Sequence, residues 1–323
     1  MHRCAASSRG TTSVHHLPEP LVLSEVPVST IALVHAAQDI GVTATSELLG
    51  RAVEAYGVPV VTAALGDGSV DWTRVQLAVV LGPVPDPFDR ERFLAQVREV
   101  GDATTVWNPV DVLRWNTHRS YLLELEERGA PIPPTAWVAQ GDALDLEALV
   151  AARAWSDVLV RPAVSATAPS LRVRSTAPRM EGVDGQGDGP SAVDLVSGQR
   201  HLDRLLASGD ALVQPFLGAA TTVGRRSVVV VDGQVSHTIR QVPPGGDGDG
   251  VIDDGEETEA GDLARWVVDA AGVDLLATRV DLIEDELGSP QVIEVDAALP
   301  ELHLDVVPSA AAAVATAILR RLG

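Results

Sequence analysis

Between Arg225 and Pro243 the chain reads RRSVVVVDGQVSHTIRQVP, two β-branched runs on either side of Asp232-Gly233. Asp-Gly suits the two-residue type I′ turn that joins right-twisted antiparallel strands, so this segment is read as a hairpin. A second hairpin follows in LLATRVDLIEDELGSPQVIEVDAAL (275–299), turning at Gly-Ser-Pro. The C-terminal part of any fold for this chain must therefore hold paired strands. The opening part has another rhythm. STIALVHA (29–36), VPVVTAAL (58–65) and VQLAVVLGP (75–83) read as strands, while ATSELLGRAVEAYG (44–57) and DRERFLAQVREVG (89–101) read as helices closed by glycine. Strand, helix, strand, strand, helix in so short a span gives a small α/β unit with a partly parallel sheet.

Between these parts, VDVLRWNTHRSYLLELEERG (110–129) has helical spacing throughout. PIPPTAWV (131–138) is extended, since each residue before a proline is pushed toward β or polyproline geometry. DLEALVAARAWS (145–156) predicts a helix, and DVLVRPAVS (157–165) and ALVQPFLG (211–218) predict strands. Helices are also expected in 257–272 and 309–323, with loops over 177–192 and 244–262. Nothing repeats.

Composition narrows the function. With 45 acidic against 24 basic side chains the net charge is −21, which argues against duplex nucleic acid or an anionic membrane as partner. No apolar run reaches ~18 residues, and the first residues lack the apolar core of a signal peptide, so a cytoplasmic protein is expected. Cys4 is the single cysteine, which excludes an internal disulfide framework and a Cys-based zinc site. All 24 basic residues are arginine. Wherever chemistry commonly employs lysine, this chain uses arginine or does without.

The closing hairpin holds the most informative group. Glu294 and Asp296 lie two apart on one strand and so share a face, and the facing strand brings Asp281 opposite. Carboxylates so placed repel unless a divalent cation or an arginine sits among them; the alternative is a solvated polar face. Mg²⁺ is held by one or two carboxylates plus substrate phosphates. Other signals are weaker. GGDGDGVIDDGE (245–256) partly scans as a calcium loop, but Gly245 occupies the first ligand position and Pro243-Pro244 forbids a normal entering helix. His237 reads as a sheet residue, His15-His16 lacks a partner motif, and Ser165 and Ser227 have no His/Asp arrangement for nucleophilic catalysis.

WNPVDVLRWNTHRSYLLELEERGAPIPPTAWV (107–138), VLVRPAVSA (158–166), the 211–243 segment and RVDL…VIEVD (279–296) together resemble the ATP-grasp superfamily. Within it they look most like glutathione-synthetase-like and cycloserine-forming ligases. The likeness covers most of 28–323 and implies an α/β (α+β) fold. It would comprise a flexible tail (1–27), a small N-terminal domain (28–110) and an ATP-grasp domain (111–323). The latter would divide into a central subdomain (about 135–213) and a C-terminal one (about 214–323). It further implies ATP and Mg²⁺ as cofactors, with small-molecule carboxylate and amine substrates joined through an acylphosphate. Since dimers are common among such relatives, it also allows a homodimer. By resemblance, Arg119 and Arg161 stand at phosphate-binding lysine positions, Gln214 and Phe216 at the adenine hinge, and Arg279 at the phosphate arginine. Asp281, Glu294 and Asp296 stand at metal-ligand positions.

The sequence also departs from the pattern. PAVSATAPSLRV after Arg161 lacks the glycines of the usual cover loop, Arg225 follows Gly224 where an acid is common, Gln241 replaces a lysine, and Leu299 replaces an acid. Two functions therefore stay open. One is an active ligase; the other is a degenerate ATP-grasp pseudoenzyme serving as a binding or partner-regulating module. A cleft turned to another ligand is a third, weaker reading.

Overall fold

The computed structural model describes residues 30–36, 42–83, 88–164, 170–175, 192–243, 251–253 and 258–322. The expected tail with Cys4, His15 and His16 lies outside these residues, as do Ser165, the rest of the 165–169 cover loop, nearly all of 177–192 and most of 245–256.

The first sheet contains β1 (Ile31–His35), β2 (Val60–Ala64), β3 (Leu77–Leu81) and β4 (Thr105–Trp107) in the order β2-β1-β3-β4. It is parallel throughout, not partly so. Central β1 and β3 are buried along their whole length, which is why their sequences are continuously apolar. α1 (Ala44–Glu54) and α2 (Arg90–Ala103) complete the unit.

The single helix expected over 110–129 is broken into α3 (Val110–Asn116) and α4 (Tyr121–Glu127). Thr117 Oγ1 donates back to the Leu113 carbonyl and closes α3, while Arg119 N donates at 2.7 Å to the Ala163 carbonyl. A backbone N–H bonded outward cannot continue a helical ladder. The break turns Arg119 toward the strand that carries Arg161.

The second sheet is built from β5 (Ala136–Val138), β6 (Asp157–Pro162), β7 (Leu171–Arg174) and β8 (Ala211–Pro215), antiparallel in the order β5-β8-β6-β7. α5 (Leu146–Arg153) and α6 (Leu195–Leu206) pack on it. α6 was not expected from the sequence. Gly198, the fourth of its twelve residues, weakens the helical signal, yet a Cβ there would lie 2.6 Å from Val173 Cγ1, so close helix–strand packing requires the glycine.

After the short α7 (Ala219–Thr222), the third sheet joins β9 (Arg225–Val231), β10 (Gln234–Gln241), β11 (Val251–Asp253), β12 (Ala277–Glu284) and β13 (Pro290–Asp296) in the order β11-β10-β9-β12-β13. Both expected hairpins are present, β9–β10 and β12–β13. Valines 228–231 do not alternate with polar residues because both faces of β9 are covered. Val228, Val230, Val280 and Val295 pack on α8 (Glu259–Ala271) and α4. Val229 and Val231 pack with α9 (Ala311–Arg320), Ile31 and Leu77. α9 thus packs against both α1 and β9. Thr258 caps α8 by accepting from Gly261 N at 3.1 Å. Thr258→Ala should cost about 1 kcal/mol in urea unfolding. An unchanged midpoint would remove the cap from the stability of this helix.

Candidate active site

The third sheet sets the site by register. Arg279 pairs with Asp296 and Asp281 with Glu294, across β12 and β13. Opposed residues on antiparallel strands share a face, so these four side chains project together, away from the core behind α8. Ser227 on β9 faces Asp281 and joins them.

Each carboxylate is met by arginine. Asp281 is 0 % exposed; its Oδ1 accepts from Ser227 Oγ at 2.7 Å and Arg279 Nε at 3.1 Å. Its Oδ2 makes no hydrogen bond and lies 3.2 Å from Arg225 Nη1. Glu294 takes Arg119 Nη2 on Oε1 and Arg161 Nη2 on Oε2, both at 3.2 Å. Burial works to raise the Glu294 pKa, but Arg119 and then Arg161 outweigh it and hold the carboxyl down to about 2. Asp296 has weaker company, with Arg279 Nη2 at 3.5 Å. Burial, reinforced by Glu294 and Asp281 and only partly opposed by Arg279, pushes it up to about 6. Burial and the neighbouring Arg119 pull Arg161 down to about 10, so it remains charged at neutral pH. Arg279 also loses solvation, but Asp281, Asp296, Glu294 and Glu301 raise its pKa above the ordinary value.

Sequence reasoning missed the residues that hold this face in place. Asn116 Nδ2 donates to the Val295 carbonyl at 2.7 Å, and its Oδ1 accepts from Ala297 N and Ala298 N. Asn108 similarly ties Leu276 N to the Ala277 and Ala297 carbonyls. Tyr121 Oη accepts from Val295 N at 3.0 Å. These side chains complete backbone ladders that end at the site, a role with no motif to announce it.

Two cavities meet at Glu294. One, about 140 Å³, is walled by Arg161, Gln214, Phe216, Arg225 and Ile293 among others. The other, about 130 Å³, is walled by Phe88, Thr117, Arg279, Asp296 and Leu299. The structure thus brings Arg161, Gln214, Phe216 and Glu294 to one cavity and Arg279, Glu294 and Asp296 to the other. Arg119 lines neither and reaches the site through Glu294 and the Pro162 carbonyl, 2.8 Å away. Asp281 also lines neither. Arg172 covers Phe216, its guanidinium 3.8 Å from the ring centroid. His237 is the sheet residue expected, its Nε2 donating to the Leu302 carbonyl at 2.9 Å.

Among the described residues no three His, Cys, Asp or Glu side chains cluster closely enough to hold a metal ion together. Mg²⁺ asks for less, namely one or two carboxylates completed by phosphate oxygens. Glu294 and Asp296 fit that donor set because they share a cavity wall. Asp281 stands behind them, paired to Arg279 and Arg225.

No family model matches the sequence. The RimK domain protein ATP-grasp of Sphaerobacter thermophilus DSM 20745 shares the fold, with TM-score 0.63 and 18% identity over 90% of this chain and 100% of that one. So does the ATP-grasp ligase PsnB complexed with minimal precursor, Mg and ADP, with TM-score 0.57 and 13% identity over 90% and 98%. The cycloserine biosynthesis protein DcsG of Streptomyces lavendulae is 30% identical over 279 residues, 79% of this chain and 86% of its own. The crystal structure of D-cycloserine synthetase DcsG matches 91% of this chain and 100% of its own, with TM-score 0.75 and 25% identity. The chain belongs to the ATP-grasp superfamily. The ATP-grasp assignment accounts for the α/β make-up expected from the sequence. No helix among the described residues of this ATP-grasp protein is long and apolar enough to cross a membrane.

Proposed function

We propose that the protein is an ATP- and Mg²⁺-dependent ligase joining a small carboxylate to an amine or thiol through an acylphosphate. One observation carries this reading: Glu294 walls both cavities, so a phosphate end in one and a carboxylate in the other would meet at a single side chain. In this reading residues 28–110 serve the substrate, and the nucleotide lies between 135–213 and 214–323.

Arg161, Gln214 and Phe216 bind the nucleotide, and Arg279 holds the carboxylate beside Asp296. A carboxylate oxygen forms a bond to the terminal phosphorus as the bond from that phosphorus to the bridging oxygen breaks and ADP leaves. The amine then attacks the acyl carbon, phosphate departs with the C–O electron pair, and the amine sheds a proton. Arginine charge held in a partly desolvated site favours the migrating phosphoryl group. Mg²⁺, when held by Glu294 and Asp296, adds neutralisation of phosphate charge.

Calorimetric titration of ATP with Mg²⁺ into the protein tests the reading, with Glu294→Ala as comparison. Metal-dependent binding that the substitution weakens is the expected result. The second reading, a pseudoenzyme, draws on the pairing of Arg119, Arg161, Arg225 and Arg279 with the protein's own carboxylates. No heat and no thermal stabilisation at millimolar nucleotide would decide for it.

A further inference from the structure

The two sequence departures at 225 and 241 lie directly opposite each other, Arg225 on β9 facing Gln241 on β10. Arg225 donates from Nε, at 3.1 Å, and from Nη2 to the same Gln241 Oε1. Its Nη1 lies 3.2 Å from Asp281 Oδ2. The side chain is pinned at three nitrogens yet remains 33 % exposed, where it lines the 140 Å³ cavity. Arg161, the other cation lining that cavity, is taken up by Gln214, the Ile293 carbonyl and Glu294. The two strands close tightly here as well. Gly224 has φ +91°, and a Cβ on it would lie 2.1 Å from the Gln241 carbonyl oxygen.

We propose that Arg225 is the cation that takes the nucleotide's phosphates on the hairpin side of the cavity, and that Gln241 is the residue positioning it. This rests on the ligase reading above. A guanidinium carries five N–H donors, so those left over from Gln241 and Asp281 remain for an anion. Gln241 suits the task because a neutral amide oxygen orients two donors without cancelling their charge. A carboxylate at 241 would cancel it. Opposed positions on antiparallel strands reach the same space, so the positive charge can sit on either strand.

The test is titration of ATP and, separately, adenosine, each with Mg²⁺, into the unaltered protein and four variants. Arg225→Ala should weaken ATP on the order of 10- to 100-fold and leave adenosine within about twofold, since only phosphate contacts are lost. Gln241→Glu should weaken ATP in the same sense. Arg225→Gln alone should match Arg225→Ala, and adding Gln241→Arg to it should recover most of the loss. That exchange keeps the test decisive if Arg225→Ala fails to fold. ATP affinity unmoved by the Arg225 variants, equal losses for ATP and adenosine, or no recovery in the exchanged pair would overturn the proposal alone. An unaltered protein that binds no ATP would overturn it together with the ligase reading.

Discussion

Glu294→Gln should cut ATP-dependent turnover by at least ~100-fold and lower folding stability at pH 7 by about 3 kcal/mol. The first effect follows from the place of Glu294 in the wall common to both cavities and from its part in the Mg²⁺ donor set. The second follows from its partners. Arg119 and Arg161 are buried, and each gives one nitrogen to a Glu294 oxygen at 3.2 Å. An amide of the same shape removes the charge that offsets their lost hydration. The sign of the pH dependence is fixed by the shift, from the ordinary 4.5 down to about 2. A depressed carboxyl contributes stability that is complete above about pH 4.5 and disappears as pH falls through about 2. Urea unfolding of both proteins across that range should show the difference closing toward pH 2. A difference of the same size at pH 7 and pH 2.5 would mean that shape, not charge, is what Gln fails to supply. Full turnover in the variant would remove Glu294 from the mechanism.

Much of the sheet that bears this site was legible in the sequence. Asp232-Gly233 between β-branched runs names its own hairpin, and two-residue spacing puts Glu294 and Asp296 on one face whatever packs behind. Pairing of Asp281 with Glu294 does not follow from counting back through the turn, which would set Asp281 against Ile293; a bulge between Asp281 and Leu282 shifts the register by one residue and brings the two carboxylates opposite. What each carboxylate touches did not follow. Arg119 lies 175 residues before Glu294 in the chain, and it reaches Glu294 only because the helix around it breaks to pair with Ala163. Helical spacing over 110–129 is satisfied by either a broken or an unbroken helix, so the break is a tertiary fact. The same holds for Arg225 and Gln241. In the sequence they are two separate departures, and only the ladder between β9 and β10 makes them one unit. α6 was hidden for the converse reason, since the glycine that lets it pack on β7 is the residue that weakens its helical signal.

Unlike Glu294, Asp296 carries a charge that the fold resists. Burial, with Glu294 and Asp281 nearby, carries its pKa from the ordinary 3.8 up to about 6, and Arg279 at 3.5 Å offsets only part of that. A raised carboxyl binds more protons folded than unfolded, so stability falls as pH rises from about 4 through 6, and above that the full cost is present. Asp296→Asn should therefore stabilise the metal-free protein at pH 7 by about 1–3 kcal/mol, the upper figure being the whole shift converted at 1.36 kcal/mol per unit. The amide keeps an acceptor for Leu299 N, which bonds Asp296 Oδ1 at 3.2 Å, so the local turn survives. Unfolding in urea with EDTA present should show the gain at pH 7, about half of it near pH 5, and almost none by about pH 3. A gain independent of pH would assign the effect to packing. A loss at pH 7 would show that the ion pair with Arg279 outweighs desolvation. A fold that tolerates such a cost at one position of a shared wall suits a site that gains its counter-charge from what binds there. Addition of Mg²⁺ and ATP to the unaltered protein should accordingly reverse the order of stability of the two proteins, since only the carboxylate answers a divalent cation with full charge.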